Sequence, residues 1–111
     1  MKILILNGSP RPRGNTSYAL SAIADGISEN TEHEVEILNV TRLKVSGCVA
    51  CNACAKNGGD CIIKDDTKSV IDKVYAADFV IFGSPVYYFG IYSQLKAVLD
   101  KFHSKSALFK N

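Results

Sequence analysis

Residues 3–17 read Ile3-Leu4-Ile5-Leu6-Asn7-Gly8-Ser9-Pro10-Arg11-Pro12-Arg13-Gly14-Asn15-Thr16-Ser17, and helical periodicity begins directly after them. The apolar residues predict a buried β-strand, and the stretch rich in glycine and hydroxyl groups predicts a turn that leads to a helix N-terminus. The glycines allow positive φ angles and close backbone approach. Short hydroxyl and amide side chains beside the unpaired N–H groups of a helix start suit an anion. The stretch therefore predicts a phosphate-binding loop.

Length and composition indicate one globular domain with an ordinary charge. The chain has 111 residues, 47% of them hydrophobic, and a formal net charge of +2. This charge gives no electrostatic footprint for nucleic acid. No stretch reaches the ~20 apolar residues of a membrane helix, and the N-terminus carries a strand where a signal peptide would have its charged start. We therefore expect a cytoplasmic protein with no nucleic acid and no membrane as partners.

Apolar periodicity divides the chain into three strand-helix units. The predicted strands are residues 3–6, 33–40 and 79–83, and the predicted helices end near residues 30, 77 and 103. Strands that alternate with helices and are largely apolar pair in parallel through right-handed crossovers. The predicted fold class is therefore α/β, a doubly wound parallel sheet with the strand order 2-1-3.

The opening loop lacks two familiar nucleotide motifs. A triphosphatase loop needs G-x-x-x-x-G-K followed by Ser or Thr, but five residues separate Gly8 from Gly14, and Asn15 stands where lysine should be. The dinucleotide pattern G-x-G-x-x-G is also absent. Hydroxyl groups and arginine suit a terminal phosphate monoester. An ordinary helix cap by Asn15 or Thr16 is the alternative.

The loop after the third strand is rich in aromatic residues. Tyr87, Tyr88, Phe89 and Tyr92 fall within six positions, which suits a flat, conjugated ligand. A dimer contact or a small satellite core is the alternative. In an open parallel sheet this loop and the opening loop meet at the same edge. A phosphate site beside a platform for a ring system predicts FMN.

No periodicity survives in residues 41–66, and all four cysteines fall in a cysteine-rich loop, residues 44–66, within this segment. Cys48, Cys51, Cys54 and Cys61 have the spacing C-x2-C-x2-C-x6-C. Bacterial ferredoxins use the C-x2-C-x2-C start, whereas structural zinc sites usually combine two separate C-x2-C pairs. The spacing favours iron and sulfide, with four thiolates at the corners of one cluster. Unliganded thiols, a zinc ion and a disulfide remain alternatives.

The two loop sequences together resemble those of a known family. Asn7-Gly8-Ser9-Pro10-Arg11-x-x-Gly14-Asn15-Thr16 and Gly83-Ser84-Pro85-Val86-Tyr87-Tyr88 are similar to the two FMN loops of the flavodoxin-like NADPH-dependent FMN reductase superfamily. The resemblance implies that the phosphate is contacted by Ser9, Arg11, Asn15, Thr16 and Ser17. It implies that the ribityl chain and the isoalloxazine are bordered by Pro85, Val86, Tyr87, Tyr88 and Gly90.

The cysteine spacing is similar to that of the iron-sulfur flavoproteins within this superfamily. The resemblance implies a 4Fe-4S cluster bound by Cys48, Cys51, Cys54 and Cys61. It implies an FMN-dependent NAD(P)H oxidoreductase that transfers electrons, with NAD(P)H or a redox partner protein as the other reactant. A flavodoxin-like electron carrier without catalysis, and a metal-stabilised interaction domain without flavin, are the alternatives.

No nucleophile or acid-base pair stands out in the sequence. His33 precedes a surface strand, and His103 lies at a helix end, where a contact with the helix dipole is the ordinary interpretation. Asp65 and Asp66 are interpreted as the cap of the second predicted helix. We therefore assign no catalytic residue.

The predicted three-stranded sheet is thin, with an exposed apolar edge on its third strand. Members of the superfamily continue with two more strands and another flavin-contacting loop, so residues 1–111 are expected to be the N-terminal part of one flavodoxin-like domain. An apolar edge invites pairing with another chain. We therefore expect either a truncated chain or a partner that covers the edge, and a homo-oligomer.

Overall fold

The computed structural model describes residues 1–29, 32–87 and 90–109, with side chains as far as Lys105. The elements in chain order are β1 (Lys2–Asn7), α1 (Asn15–Ser28), β2 (Glu34–Asn39), α2 (Thr67–Ala76), β3 (Phe79–Gly83), β4 (Val86–Tyr87), β5 (Gly90–Ile91) and α3 (Ser93–Asp100). Three 3-10 segments accompany them, Val40–Arg42, Ala53–Lys56 and Lys101–Phe109.

The first three strands form a parallel sheet in the order β2-β1-β3. Strand β1 lies in the middle, and its residues from Ile3 onward are buried. A central strand that is covered on both faces needs apolar residues at every position, which is why Ile3 to Leu6 contains no polar residue. The α/β class and the strand order 2-1-3 are confirmed.

Helices cover both faces of the sheet. On one face, Leu4 and Leu6 pack in a cluster with Val70 and Val74 of α2 and with Leu95 and Val98 of α3. On the other face, Ile5 packs with Leu20 and Ala24 of α1. Burying an aliphatic side chain of this size contributes about 1.5–3 kcal/mol. Successive side chains of β1 point to opposite faces of the sheet, so each face offers an apolar surface on which helices pack.

The predicted elements differ from the structure at three places. In α1 the buried apolar stripe is narrower than expected, because Ile23 is 41% exposed and Ala19 is also exposed. The segment after β3 is a small antiparallel hairpin, with β4 paired to β5. Helix α3 ends at Asp100 and continues as a 3-10 segment. None of the described helices is long and apolar enough to cross a membrane.

Strand β3 forms an open edge of the sheet and exposes one phenylalanine on each face. Phe79 is 57% exposed and Phe82 is 45% exposed. In the part of the chain that the structure describes, β3 pairs with β1 alone. The expected exposed apolar edge is therefore present.

Candidate functional site

The two loops that were predicted to bind FMN begin side by side. Asn7 at the end of β1 is in register with Gly83 at the end of β3. The Gly8 N–H donates to the Gly83 carbonyl at 2.8 Å. The opening loop and the β4-β5 hairpin therefore leave the carboxyl edge of the sheet as immediate neighbours.

Helix packing explains the glycines at this junction. A Cβ atom on Gly8 would lie 2.8 Å from Leu95 Cβ, and one on Gly83 would lie 2.6 Å from Leu20 Cδ1. Neither Gly8 nor Gly14 has a positive φ angle. Of the two properties that glycine allows, close approach is the one that Gly8 uses, because α3 packs against it.

Asn7 organises the opening loop from inside the protein. Its Oδ1 accepts the Ser9 N–H at 2.9 Å, and its Nδ2 donates to Ser17 Oγ at 3.1 Å and to Asn39 Oδ1 at 3.0 Å. Ser17 Oγ in turn donates to the Arg11 carbonyl at 2.7 Å. Sequence reasoning gave Asn7 no role of its own. A buried polar residue at the end of an apolar strand was the available signal.

The start of α1 suits an anion. Gly14 is the N-cap and offers no side-chain oxygen, so the interpretation of Asn15 or Thr16 as the cap is wrong. No acidic residue lies in the first turn, and the positive end of the helix dipole is therefore left for a negative ligand. Arg11 and Asn15 are exposed beside it. This arrangement fits a phosphate group.

Two of the predicted phosphate contacts have other partners. Ser9 is 6% exposed and Ser17 is 6% exposed. Ser9 Oγ accepts the Arg11 N–H at 3.1 Å, and Ser17 Oγ bonds Asn7 and the Arg11 carbonyl. The groups that face outward at this site are the first-turn N–H groups and the side chains of Arg11, Asn15 and Thr16.

The β4-β5 hairpin presents apolar surface beside this loop. Val86 is 73% exposed and Tyr87 is 43% exposed, and the Tyr87 ring meets the Tyr92 ring edge-on at 5.4 Å. Ser84 Oγ closes the base of the hairpin by accepting the Tyr92 N–H at 2.8 Å. Pro85 is half-buried and Gly90 is exposed. These residues fit the flat face of a ring system.

The predicted contact Tyr88, and Phe89 beside it, lie outside the described residues.

The cysteine segment is a wound loop. Its two ends, residues 44–46 and 65–66, are hydrogen-bonded to each other and form the neck of the loop. Ala50 and Asn52 have φ angles of 57° and 60°, and Gly58 and Gly59 have φ angles of 66° and 88°. Left-handed backbone at a non-glycine residue is unfavourable and persists only where its surroundings impose it. The winding brings all four cysteines, Cys48, Cys51, Cys54 and Cys61, around one small cavity.

The four thiols at this cavity are groups that can bind iron or zinc. In the described part of the chain, no group of three or more Cys, His, Asp or Glu side chains is close enough to hold one metal ion. The Ala50 N–H donates to Cys48 Sγ at 3.4 Å, a contact typical of thiolate ligands. The four cysteines are unpaired and form no disulfide.

The 3-10 segment after α3 lies against the cysteine loop. Lys101 Nζ is 3.4 Å from Cys61 Sγ, His103 Nε2 is 2.8 Å from Asn52 Oδ1, and Lys105 Nζ is 3.1 Å from Asp60 Oδ1. The hydrogen bond of His103 is therefore with Asn52, and not the helix-dipole contact that was expected. Sequence reasoning missed this packing, because no local pattern relates residues 101–105 to residues 52–61.

Asp65 is a charged, hydrogen-bonded carboxylate at the neck of the loop. Burial raises the pKa of this carboxyl group, but the hydrogen bonds that it accepts from Thr67 and Ser46 outweigh burial and lower the pKa to about 2. Its Oδ1 accepts the Thr67 N–H at 2.8 Å, and its Oδ2 accepts the Ser46 N–H at 3.0 Å. Asp65 thus supplies the cap of α2, whereas Asp66 at the N-cap position makes no side-chain capping bond.

Comparisons with known proteins agree with this architecture. The iron-sulfur flavoprotein MJ1083 of Methanocaldococcus jannaschii is 38% identical over 101 residues, which are 91% of this chain and 51% of that protein. The crystal structure of an azoreductase from Bacillus anthracis str. Sterne matches with a TM-score of 0.73 at 20% identity, over 92% of this chain and 55% of that one. An FMN-dependent NADH-azoreductase from Bacillus anthracis str. Ames Ancestor in complex with FMN matches with a TM-score of 0.69 at 16% identity, over 91% and 55%.

The chain spans about half the length of the relatives that it matches. Its whole described length nevertheless carries the features of one family. The family described as NADPH-dependent FMN reductase matches residues 1–111, and the sheet order and adjacent loops are those of its flavodoxin-like fold. The chain belongs to the NADPH-dependent FMN reductase family.

Proposed function

We propose that this protein is an FMN-dependent NAD(P)H oxidoreductase that transfers electrons through a 4Fe-4S cluster. The observation that supports the proposal is the junction of Gly8 and Gly83, where the opening loop and the aromatic segment after β3 leave the sheet side by side. The similarity to proteins named iron-sulfur flavoproteins supports the second cofactor.

Each group of residues has a separate part in holding FMN. The first turn of α1 receives the phosphate, with Arg11, Asn15 and Thr16 as side-chain donors and with Ser9 and Ser17 holding the loop in shape. Pro85, Val86, Tyr87, Tyr88 and Gly90 border the ribityl chain and the ring. FMN, when bound, accepts a hydride and releases electrons singly. The protein orients the ring and keeps one face of it away from water.

Cys48, Cys51, Cys54 and Cys61 are the proposed cluster ligands. All four line one cavity, and the backbone around them is wound by left-handed residues. NAD(P)H or a redox partner protein supplies or removes the electrons. We further propose a homo-oligomer, in which a second copy covers the open edge of β3, where Phe79 and Phe82 are exposed on opposite faces of the sheet. Sedimentation velocity tests the oligomer.

Ligand binding tests the FMN site. Protein prepared without oxygen is titrated with FMN and with riboflavin, and flavin fluorescence and heat are recorded. We expect FMN to bind at least about tenfold more tightly than riboflavin, because riboflavin lacks the phosphate that the N-terminus of α1 is proposed to bind. Equal affinity for both would contradict the phosphate site, and no binding of either would remove the proposed function.

Spectra and metal assays test the remaining parts. We expect bleaching of the flavin by NADPH or NADH, and iron and acid-labile sulfide in equal amounts. Cys48→Ser and Cys61→Ser should each lose most of the iron, whereas Ala53→Ser in the same loop should retain it. If NADPH and NADH fail to reduce the flavin and only a partner protein reduces it, the protein is an electron carrier and not a reductase.

A further inference from the structure

Lys101 is an almost fully buried lysine at the cysteine cavity. Its residue is 2% exposed, and its Nζ lies 3.4 Å from Cys61 Sγ. Lysine is rarely buried unless its charge is paired, because removing an ammonium group from water is costly. The side chain therefore calls for an anion inside the cavity.

Among the described side chains, no carboxylate forms an ion pair with Lys101. The four ion pairs use Lys68, Lys73, Lys96 and Lys105 as their cations. Asp65 is near enough for the charge of Lys101 to help lower its pKa, but the carboxyl oxygens of Asp65 bond Ser46 and Thr67 instead. The charge of Lys101 is therefore left facing the cysteines.

Ser104 adds a second unpaired polar group on the same wall. Its residue is 6% exposed, and within the described part of the chain its Oγ is buried without a hydrogen-bond partner. Both residues line the cavity with the four cysteines. A buried donor without an acceptor is rare in native proteins. Two independent groups thus point to a negatively charged occupant.

The other polar groups of the 3-10 segment are already used. Lys105 pairs with Asp60, and His103 bonds Asn52. These contacts hold the segment against the loop, and they leave Lys101 and Ser104 to face inward.

We propose that Lys101, assisted by the Ser104 hydroxyl, neutralises negative charge on the bound cluster and raises its reduction potential. This inference rests on the proposed function, because it needs the cluster at Cys48, Cys51, Cys54 and Cys61. A cluster bound by four thiolates is anionic, and it becomes more negative when it gains an electron. A fixed ammonium group in a poorly solvated site therefore stabilises the reduced form more than the oxidised form.

The test is a redox titration of the full protein, prepared without oxygen and with iron and sulfide measured in every sample. Lys101→Met removes the charge and keeps the length of the side chain, and Lys101→Arg keeps the charge. Lys96→Met removes an equal charge from the exposed face of α3, where Lys96 pairs with Asp100. Ser104→Ala tests the hydroxyl group.

We expect Lys101→Met to make reduction of the cluster at least about tenfold less favourable, a shift of ~59 mV to a more negative midpoint potential for one electron. Ser104→Ala should shift the potential in the same direction by less. Lys101→Arg and Lys96→Met should stay close to the wild type. Loss of iron from Lys101→Met, but not from Lys101→Arg, in a folded protein that still binds FMN would also support the proposal.

Three results would overturn the inference. They are an unchanged potential in Lys101→Met, equal shifts in Lys101→Met and Lys96→Met, and equal loss of iron from Lys101→Met and Lys101→Arg. Wild-type protein that contains FMN but no iron or sulfide would instead refute the cluster itself. The two failures are therefore distinguished by the wild-type sample.

Discussion

Two hydrogen bonds join Lys44 and Asp66 across the neck of the cysteine loop. The Lys44 N–H donates to Asp66 Oδ2 at 2.7 Å, and the Asp66 N–H donates to the Lys44 carbonyl at 2.9 Å. Asp65 adds its bond to the Ser46 N–H. The loop is therefore closed by its own ends, and this closure limits the conformational freedom of the segment that carries the cysteines.

The acid sensitivity of the loop is predicted to depend on Asp65. Its pKa in the folded protein is about 2, below the ordinary value of 3.8. The carboxylate therefore stabilises the fold above its unfolded pKa, and this contribution is lost as the pH falls from ~4 towards ~2. We expect Asp65→Asn to lower the free energy of unfolding near neutral pH by about 1–2 kcal/mol after solvent screening.

Urea unfolding at a series of pH values measures this effect. The difference between wild type and Asp65→Asn should shrink below about pH 4 and fall to a small remainder near pH 2, where half of the carboxyl groups are still ionised. Asp25→Asn, on the exposed side of α1, is the control and should change little at any pH. A loss that is equal at every pH would contradict the role of the charge.

The glycines at the junction of the loops are predicted to tolerate no Cβ atom. Gly8→Ala would collide with Leu95 Cβ, which is fixed to the backbone of α3, whereas Gly83→Ala would collide with the side chain of Leu20. We expect both to lower the free energy of unfolding by about 1–3 kcal/mol, with the larger loss at Gly8.

Gly26→Ala is the matched control for these two variants. A Cβ atom on Gly26 meets nothing within 4 Å, and alanine in a helix is favoured over glycine by about 0.5–1 kcal/mol. Thermal unfolding should therefore show stabilisation in this variant. Equal stability of Gly8→Ala and Gly26→Ala would show that the close approach of α3 is not a constraint.

Asn7 is predicted to support FMN binding without touching the phosphate. Asn7→Asp replaces the Nδ2 donor with an oxygen, so that Ser17 Oγ and Asn39 Oδ1 face a carboxylate. A buried polar group that loses its partner costs about 1–3 kcal/mol. We expect FMN affinity to fall at least about tenfold, which corresponds to ~1.4 kcal/mol.

A fluorescence titration with FMN measures this loss. Ser21→Ala is the control and should bind FMN as the wild type does. Ser21 is exposed one helical turn after Ser17 and lines the same groove as Asn7. Unchanged FMN affinity in Asn7→Asp would refute the supporting role.

Ala50 is predicted to limit the assembly of the cysteine loop. Its φ angle of 57° is left-handed, a conformation that costs roughly 1–2 kcal/mol for residues with a Cβ atom. A β-branched side chain is worse there, so Ala50→Val should reduce the iron content after reconstitution, whereas Ala50→Gly should keep it. Ala55→Val, in the 3-10 turn Ala53–Lys56, is the control. Equal iron content in Ala50→Val and Ala55→Val would contradict the prediction.

The sequence was sufficient for the framework of the fold. Phe79–Gly83 is the strand that the apolar run predicts, and Val70, Ile71 and Val74 are the buried side of α2. These features are predictable because they arise from local periodicity and from the burial of one strand on both faces. The adjacency of the two loops follows from the parallel order of the strands.

The missed features depend on contacts between distant parts of the chain. Lys101 meets Cys61 across 40 positions, and Asn7 meets Asn39 across 32. A lysine at the end of an amphipathic helix normally points to solvent, so its burial cannot be inferred from spacing. The hairpin Val86–Ile91 also escaped prediction, because its strands contain only two residues each.

The bond between Gly8 and Gly83 makes the two recognition elements separable for engineering. The backbone junction and the close packing of Leu20 and Leu95 against it set the spacing at which the opening loop and strand β4 leave the sheet. A chimaera that takes the opening loop from one homologue and the segment after β3 from another should keep the spacing of their starting points at Gly8 and Gly83. Specificity for the tail and specificity for the ring can then evolve independently.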